Sequence, residues 1–315
     1  MMKNILITGG SGFLGRSLGI KFKKRFNVFL ASRNNKNNFL AEKLTGCKSI
    51  PMDISNIKSV YDAIQTSKAD IIIHAAATKF VGWSEKFPFE CSDININGSA
   101  NIARAAIDKN VKLVIGISTD KATQPIKNFY GMSKAVMEKM FYLSKKLSKT
   151  KFVCVRYGNV AWSTGSVLPI WKEMLEKNNT IETTGPYMRR FFFTIDDAVD
   201  LVNQALKKNV LLNGKILCPD MKSSKMINII KTWLKDYGGK YKIIKEREGD
   251  RLDEYLISDN EIEFTEAVKF DNKKYYIIDF SKKAKKPIKN KVTSQNCKSL
   301  NNDEIRKILK LGYNE

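Results

Sequence analysis

One histidine, His74, stands alone in a chain of 315 residues, so no second imidazole is there to share a metal ion. The five cysteines, Cys47, Cys91, Cys154, Cys218 and Cys297, are odd in number, far apart and mostly set in apolar stretches. Neither a disulfide framework nor a metal knuckle follows from that spacing, and reduced, buried thiols are expected. No apolar run approaches the roughly 20 residues needed to span a bilayer, and the opening "MMKNILITGG" enters a strand without a cleavage site. A cytoplasmic protein with no membrane span is expected. Acid is scarce as well: 55 Lys and Arg against 32 Asp and Glu leave a net charge of +23, which suits an anionic partner. That charge is spread along the chain, with local clusters at "KFKKRF" and "SKKAKKPIKNK", and no nucleic-acid module accompanies it. No nucleic-acid partner is therefore expected. Internal repeats and low-complexity linkers are absent too, and a 43% hydrophobic composition at this length can bury a real core.

What is present begins with "KNILITGGSGFLG", a short strand running into a glycine-rich turn and then a helix. Gly9, Gly12 and Gly15, with Ser11 and Phe13 between them, let the backbone turn tightly against a pyrophosphate whose charge meets the helix N-terminus. Strand-like and helical segments alternate behind this turn, so the expected fold is α/β, a doubly wound parallel sheet of the Rossmann kind. The second strand ends in Ser32 and Arg33 with no acid. An acid there would hold a free ribose 2′-hydroxyl and a cation accepts a 2′-phosphate, so NADP is expected ahead of NAD. "SIPMDIS" delivers Asp53 and Ile54 to where an adenine would lie. The buried strand "ADIIIH" ends in Ala75, Ala76 and Ala77, small enough for a flat cofactor to pass, and makes His74 a strand-end residue. The dinucleotide domain is expected over 1–165, completed by about 190–220. A smaller, discontinuous C-terminal lobe over 166–189 and 221–315 would hold the substrate.

Tyr130 and Lys134, at i and i+4, stack on one face of a helix starting near Tyr130. The ammonium is expected to lower the phenol's pKa and to hold the nicotinamide ribose, making tyrosinate a base for a hydroxyl proton. Behind a dinucleotide fold, and one loop after Ser118 and Thr119, this pair belongs to short-chain dehydrogenases. Asp120 and Lys121, side by side at the preceding strand tip, are surplus to simple hydride transfer. By themselves, from spacing alone, they read as an ion-paired surface turn sooner than as catalytic groups.

In order along the chain, "TGGSGFLG", "HAAATKFV", "STDKA", "YGMSK", "RYGNV", "GSVLPIW", "MRRFFFT", "REGDRLDE" and "TSQNCKSL" resemble the motifs of the bacterial polysaccharide-biosynthesis group of extended short-chain dehydrogenases. Its best-known members are UDP-N-acetylglucosamine 4,6-dehydratases, often 5-inverting, and the resemblance covers nearly the whole chain. It implies that Lys121 takes the carbon 5 proton of a 4-ketohexose, Asp120 protonates the leaving carbon 6 hydroxyl and Thr119 bonds the carbon 4 oxygen. Lys121 would have to be neutral and Asp120 protonated, the first through nearby positive charge and the second through burial. Lys79, Asn159, Arg190, Arg247 and Glu254 would line the nucleotide-sugar pocket, the arginines as diphosphate contacts. The segment "ATQPIKNF" is one residue longer than the usual loop, which would shift the start of the Tyr130 helix. A homo-oligomer is expected from the same resemblance. The rival readings are a UDP-sugar 4-epimerase and a non-catalytic nucleotide-binding subunit.

Overall fold

The structure, a computed structural model, describes residues 2–245 and 249–312. Six strands start the large sheet: β1 (Asn4–Thr8), β2 (Asn27–Ser32), β3 (Lys48–Pro51), β4 (Ile71–His74), β5 (Leu113–Thr119) and β6 (Lys151–Tyr157). They run parallel in the order β3-β2-β1-β4-β5-β6. Strands β4 and β5 are buried along their whole length, as continuous Ile, Leu and Val runs covered on both faces demand. The chain reverses its direction of growth between β1 and β4, and ligands of such sheets bind outside the carboxyl ends of the strands at that switch. The glycine turn follows β1 and the Thr119–Lys121 segment ends β5, so both lie at this edge.

The sheet grows further than the sequence reading allowed. Lys215–Pro219 pairs parallel to β6, and Lys273–Ile278 and Thr265–Phe270 add antiparallel strands beyond it, giving nine in all. The hairpin at 265–278, assigned by sequence to the C-terminal lobe, therefore lies in the large sheet. Its buried Tyr275, Tyr276, Ile277 and Ile278 join the main core there.

A second core is built from Leu168, Trp171, Ile181, Phe192, Met226, Ile230, Trp233, Ile305 and Leu309. It sits under helices Val167–Asn178, Met226–Tyr237 and Asn302–Lys310, with small sheets formed by Asn159–Val160, Arg189–Phe193 and Lys222–Lys225 and by Thr180–Thr183 with Lys240–Ile243. Among the described residues no helix is long and apolar enough to cross a membrane. Cys47, Cys91, Cys154 and Cys218 are buried and free, and Cys297 is half-buried and free.

Candidate active site

The glycine turn is shaped by close approach. Gly9 has φ +66°, and a Cβ there would lie 2.8 Å from the Ala76 backbone nitrogen; one on Gly15 would lie 2.4 Å from the Gly9 carbonyl oxygen. The following helix, Phe13–Phe22, has no side-chain cap and no acid in its first turn. Its free N–H groups and positive dipole end are thus available to an anion. Ser11 Oγ lies 2.7 Å from Ser32 Oγ, tying the turn to the end of β2, where Arg33 is exposed and no carboxylate follows. Asp53 Oδ1 accepts from the Ser55 N–H at 3.0 Å and hydroxyl at 2.7 Å, and Ile54 is buried beside Gly98. Ala75, Ala76 and Ala77 are half-buried at the exit of β4, and the Ala76 N–H donates to Thr8 Oγ1 at 3.1 Å. These residues fit a dinucleotide: a cradle that a Cβ would fill, an uncapped helix start and small residues beside it. His74 sits beneath, 2.8 Å from Thr8 Oγ1 and 3.1 Å from Ser99 Oγ. Burial, and then the Lys134 charge, push its pKa down to about 3, so it is a neutral strut under the cradle.

The helix Phe129–Ser144 carries Tyr130 in its first turn, with Asn128 accepting from the Gly131 N–H at 2.8 Å as its cap. After the longer preceding loop the helix starts at Phe129, and the Tyr130 phenol interacts with Thr119, Asp120 and Lys121. Gly131 explains how closely the helix start sits on the Asp120–Ala122 turn: a Cβ there would be 2.2 Å from the Lys121 carbonyl oxygen. Lys134 is buried on the same helix, its ammonium 3.5 Å from Met137 Sδ. Burial lowers its pKa to about 8, while Cys154 and Glu138 hold it up. A buried ammonium against a thioether suits the hydroxyls of a ribose. The expected action of Lys134 on the phenol needs correction: burial raises Tyr130 to about 12, and the groups that pull it back are Lys121 and Thr119.

Beside the phenol lies a knot of buried charge. Asp120 is fully buried, with Thr119 Oγ1 donating to its Oδ1 at 3.0 Å. The Lys121 ammonium lies 3.0 Å from Asp120 Oδ1 and 3.4 Å from Glu254 Oε1. Glu254 is in turn 3.7 Å from both Arg190 Nε and Arg251 Nε, and its N–H donates to Ser294 Oγ at 3.0 Å. Of the six buried side-chain polar atoms without a hydrogen-bond partner among the described residues, four are here: Asp120 Oδ2, Glu254 Oε2, and Nε and Nη1 of Arg251. Unmade bonds of this kind are costly and mark a place built for something other than stability.

Charge states in this knot differ in part from expectation. Burial raises Asp120, as foreseen, against the pull of Lys121. Burial alone would lower Lys121, but Asp120 and Glu254 outweigh it and hold the amine well above its ordinary value. In the protein alone the two carboxylates favour Lys121 as an ammonium, so the neutral amine expected during turnover must come from moving that proton. Glu254 would rise through burial, yet Lys121, Arg190 and Arg251 keep it lowered.

The remaining sequence candidates divide. Arg190 is buried, with Nη1 donating to the carbonyls of Arg189 and Arg251, both at 2.9 Å. It is thus held within the knot. Asn159 is half-buried and paired with Phe192. Lys79 is exposed, its ammonium 5.7 Å from the Phe80 ring centre. Arg247 lies outside the described residues.

Sequence reasoning missed three features. Arg251 joins the knot; its i, i+3 spacing to Glu254 in "REGDRLDE" was the available signal. Asn95, in a π-helical turn at Ser92–Asn97, donates to Thr78 O and Ser133 Oγ at 2.9 Å, fastening the exit of β4 to the Tyr130 helix. Arg156 of "RYGNV" is buried between Glu138, 2.7 Å from Nη2, and Glu261, 2.9 Å from Nη1. Ser118 donates to the same Glu138, so β5, β6 and the Tyr130 helix meet at one carboxylate.

Residues 5–279 match the family described as Polysaccharide biosynthesis protein. The chain belongs to that family. Like other polysaccharide-biosynthesis proteins it has the extended short-chain dehydrogenase fold that its motifs foretold. It is 31% identical to a Campylobacter jejuni protein named UDP-N-acetylglucosamine 4,6-dehydratase (inverting), over 88% of this chain and 82% of that one. It is 33% identical to a Rickettsia bellii protein named UDP-glucose 4-epimerase, over 98% and 95%. Among solved structures, Pen from Bacillus thuringiensis superposes with a TM-score of 0.89 at 27% identity, covering 99% of this chain and 98% of that one.

Proposed function

We propose that the protein dehydrates UDP-N-acetylglucosamine to a UDP-4-keto-6-deoxyhexosamine with NADP as cofactor, for surface polysaccharide or nonulosonic acid synthesis. The observation that carries this reading is the buried Asp120–Lys121 pair at the tip of β5, which simple oxidation at carbon 4 would not require. Gly9, Gly12 and Gly15, the uncapped helix start, Ala75–Ala77 and Lys134 would hold the dinucleotide, and Ser32 and Arg33 would take its 2′-phosphate. When bound, the nicotinamide supplies reversible hydride acceptance.

Tyr130 takes the proton of the carbon 4 hydroxyl through its phenolate form, which Lys121 and Thr119 favour against the opposing effect of burial, with Thr119 hydrogen-bonded at the carbon 4 oxygen. Lys121 takes the carbon 5 proton, and Asp120 gives a proton to the carbon 6 hydroxyl, which departs as water. In the resting pair the proton sits on Lys121. Moving it across the 3.0 Å contact to Asp120 yields the amine base and the carboxylic acid together, with no change in net charge. Burial of Asp120 favours that transfer. Return of a proton to carbon 5 on the opposite face gives inversion there. Arg190 and Glu254 would border the sugar and its diphosphate, with Asn159 and Lys79 nearer the rim. The protein would work in the cytoplasm as a homo-oligomer, with residues 1–165 and about 190–220 binding the dinucleotide.

The 4-epimerase reading has the Rickettsia relative's name in its favour and would leave Lys121 without a task. Proton NMR of the protein with UDP-N-acetylglucosamine in deuterated water separates the two. A new 6-methyl signal with deuterium at carbon 5 supports dehydration; a 4-epimer without any methyl signal overturns it.

A further inference from the structure

Two carboxylates flank the Lys121 ammonium, and their surroundings are opposite. Asp120 is fully buried with Lys121 as its one cationic contact among the described residues, whereas Glu254 lies 3.7 Å from each of two guanidiniums. A proton leaving Lys121 has two acceptors within reach, at 3.0 Å and 3.4 Å. The guanidiniums of Arg190 and Arg251 stabilise Glu254 as an anion and so make it the poorer acceptor. We infer that Glu254 is a positioning residue for the proton chemistry: pinned by Arg190 and Arg251, it stays ionised as a fixed counter-charge, directs the mobile proton to Asp120 and stabilises the ammonium that forms on Lys121.

This deepens the dehydratase reading and rests on it, since a counter-charge to a forming ammonium matters where Lys121 acts as a base. It also separates Glu254 from mere contact with the sugar. Its Oε1 lies near Lys121 and Arg190 and its Oε2 near Arg251, and its main chain is anchored to Ser294, so groups from several elements surround it. Among the described residues the charged and titratable groups around Lys121 are Asp120 on its own turn, Tyr130 on the following helix, Arg190 on the strand Arg189–Phe193 with Asp250 4.0 Å from it, and Arg251 with Glu254 on the segment before the strand Tyr255–Ile257.

The test is Glu254→Gln, which keeps shape and removes charge, beside Glu254→Asp, which keeps charge and shortens reach. An anionic neighbour raises both Asp120 and Lys121, so its removal moves both limbs of the pH–rate profile for methyl formation to lower pH. At the optimum, deuterium uptake at carbon 5 slows by about 10- to 100-fold, while oxidation at carbon 4, followed by reduced-cofactor absorbance, persists. Glu254→Asp keeps the parental profile at a reduced rate. A second readout needs no turnover: the pH dependence of Lys121 acylation by a small reagent, mapped by peptide mass spectrometry, moves to lower pH in Glu254→Gln. A glutamine variant whose profile and acylation curve both match the parent overturns the inference. A parent protein that forms no methyl signal overturns the dehydratase reading instead, and the acylation curves still decide what Glu254 does to Lys121.

Discussion

Two buried ion clusters stand on neighbouring strands and are built to different ends. Around Arg156, three guanidinium nitrogens meet Glu138, Glu261 and the Leu256 carbonyl at 2.7–3.1 Å. Arg156, Glu138 and Glu261 contribute none of the unpartnered buried atoms among the described residues. Around Lys121, contacts are looser, at 3.0–3.7 Å, and four polar atoms go without partners. A buried charge is expensive unless paired and fully hydrogen-bonded. The Arg156 cluster meets that condition and fastens the Tyr130 helix to the sheet; the Lys121 cluster leaves it unmet, as the proton exchange proposed for it would require.

The contrast can be broken at its largest point first. Lys121→Ala should cut methyl formation by about 10²- to 10⁴-fold while leaving dinucleotide affinity intact, read by NMR and by cofactor titration; equal loss of both would make the knot structural. Glu138→Ala should do the reverse, lowering stability by about 3–5 kcal/mol in urea unfolding, because it leaves Nε and Nη2 of the buried Arg156 without their carboxylate. A neutral effect would show that the Arg156 cluster does not fasten the helix. A third test concerns the neutral strut under the cradle. His74 binds its proton near pH 6.5 when unfolded and near 3 when folded, so the unfolded chain holds more protons between those values. Stability should therefore fall as pH drops through that window, and His74→Gln should flatten the slope between pH 6.5 and 5, where carboxylates contribute least. The smallest effect sharpens the cofactor assignment: Arg33→Asp should shift preference from NADP toward NAD by about tenfold, measured as the ratio of the two kcat/KM values.

Much of this was legible because it is local. Glycine spacing fixed where the turn would form, and the i, i+4 pair marked the Tyr130 helix to within a residue of its start at Phe129. The charge state of Lys121 was not legible, because Glu254 lies 133 residues further on and only folding brings it within 3.4 Å. The same holds for the hairpin at 265–278, which falls within the 221–315 span expected to form the lobe: nothing local to it says which sheet edge it joins. Lys134 was misjudged as the phenol's partner because spacing along a helix gives proximity of side chains but not the direction of a long, flexible ammonium.

Gly131 has a reach beyond its own turn. Glycine inside a helix costs about 0.5–1 kcal/mol relative to alanine, and the position admits nothing larger, since any Cβ would collide with the Lys121 carbonyl. The strand tip and the helix start therefore meet backbone to backbone, and that close approach sets how Lys121 and Tyr130 are presented side by side. Under the proposed function, altering the reaction then means exchanging one of these two side chains, because no larger residue at 131 can reset how strand tip and helix start meet.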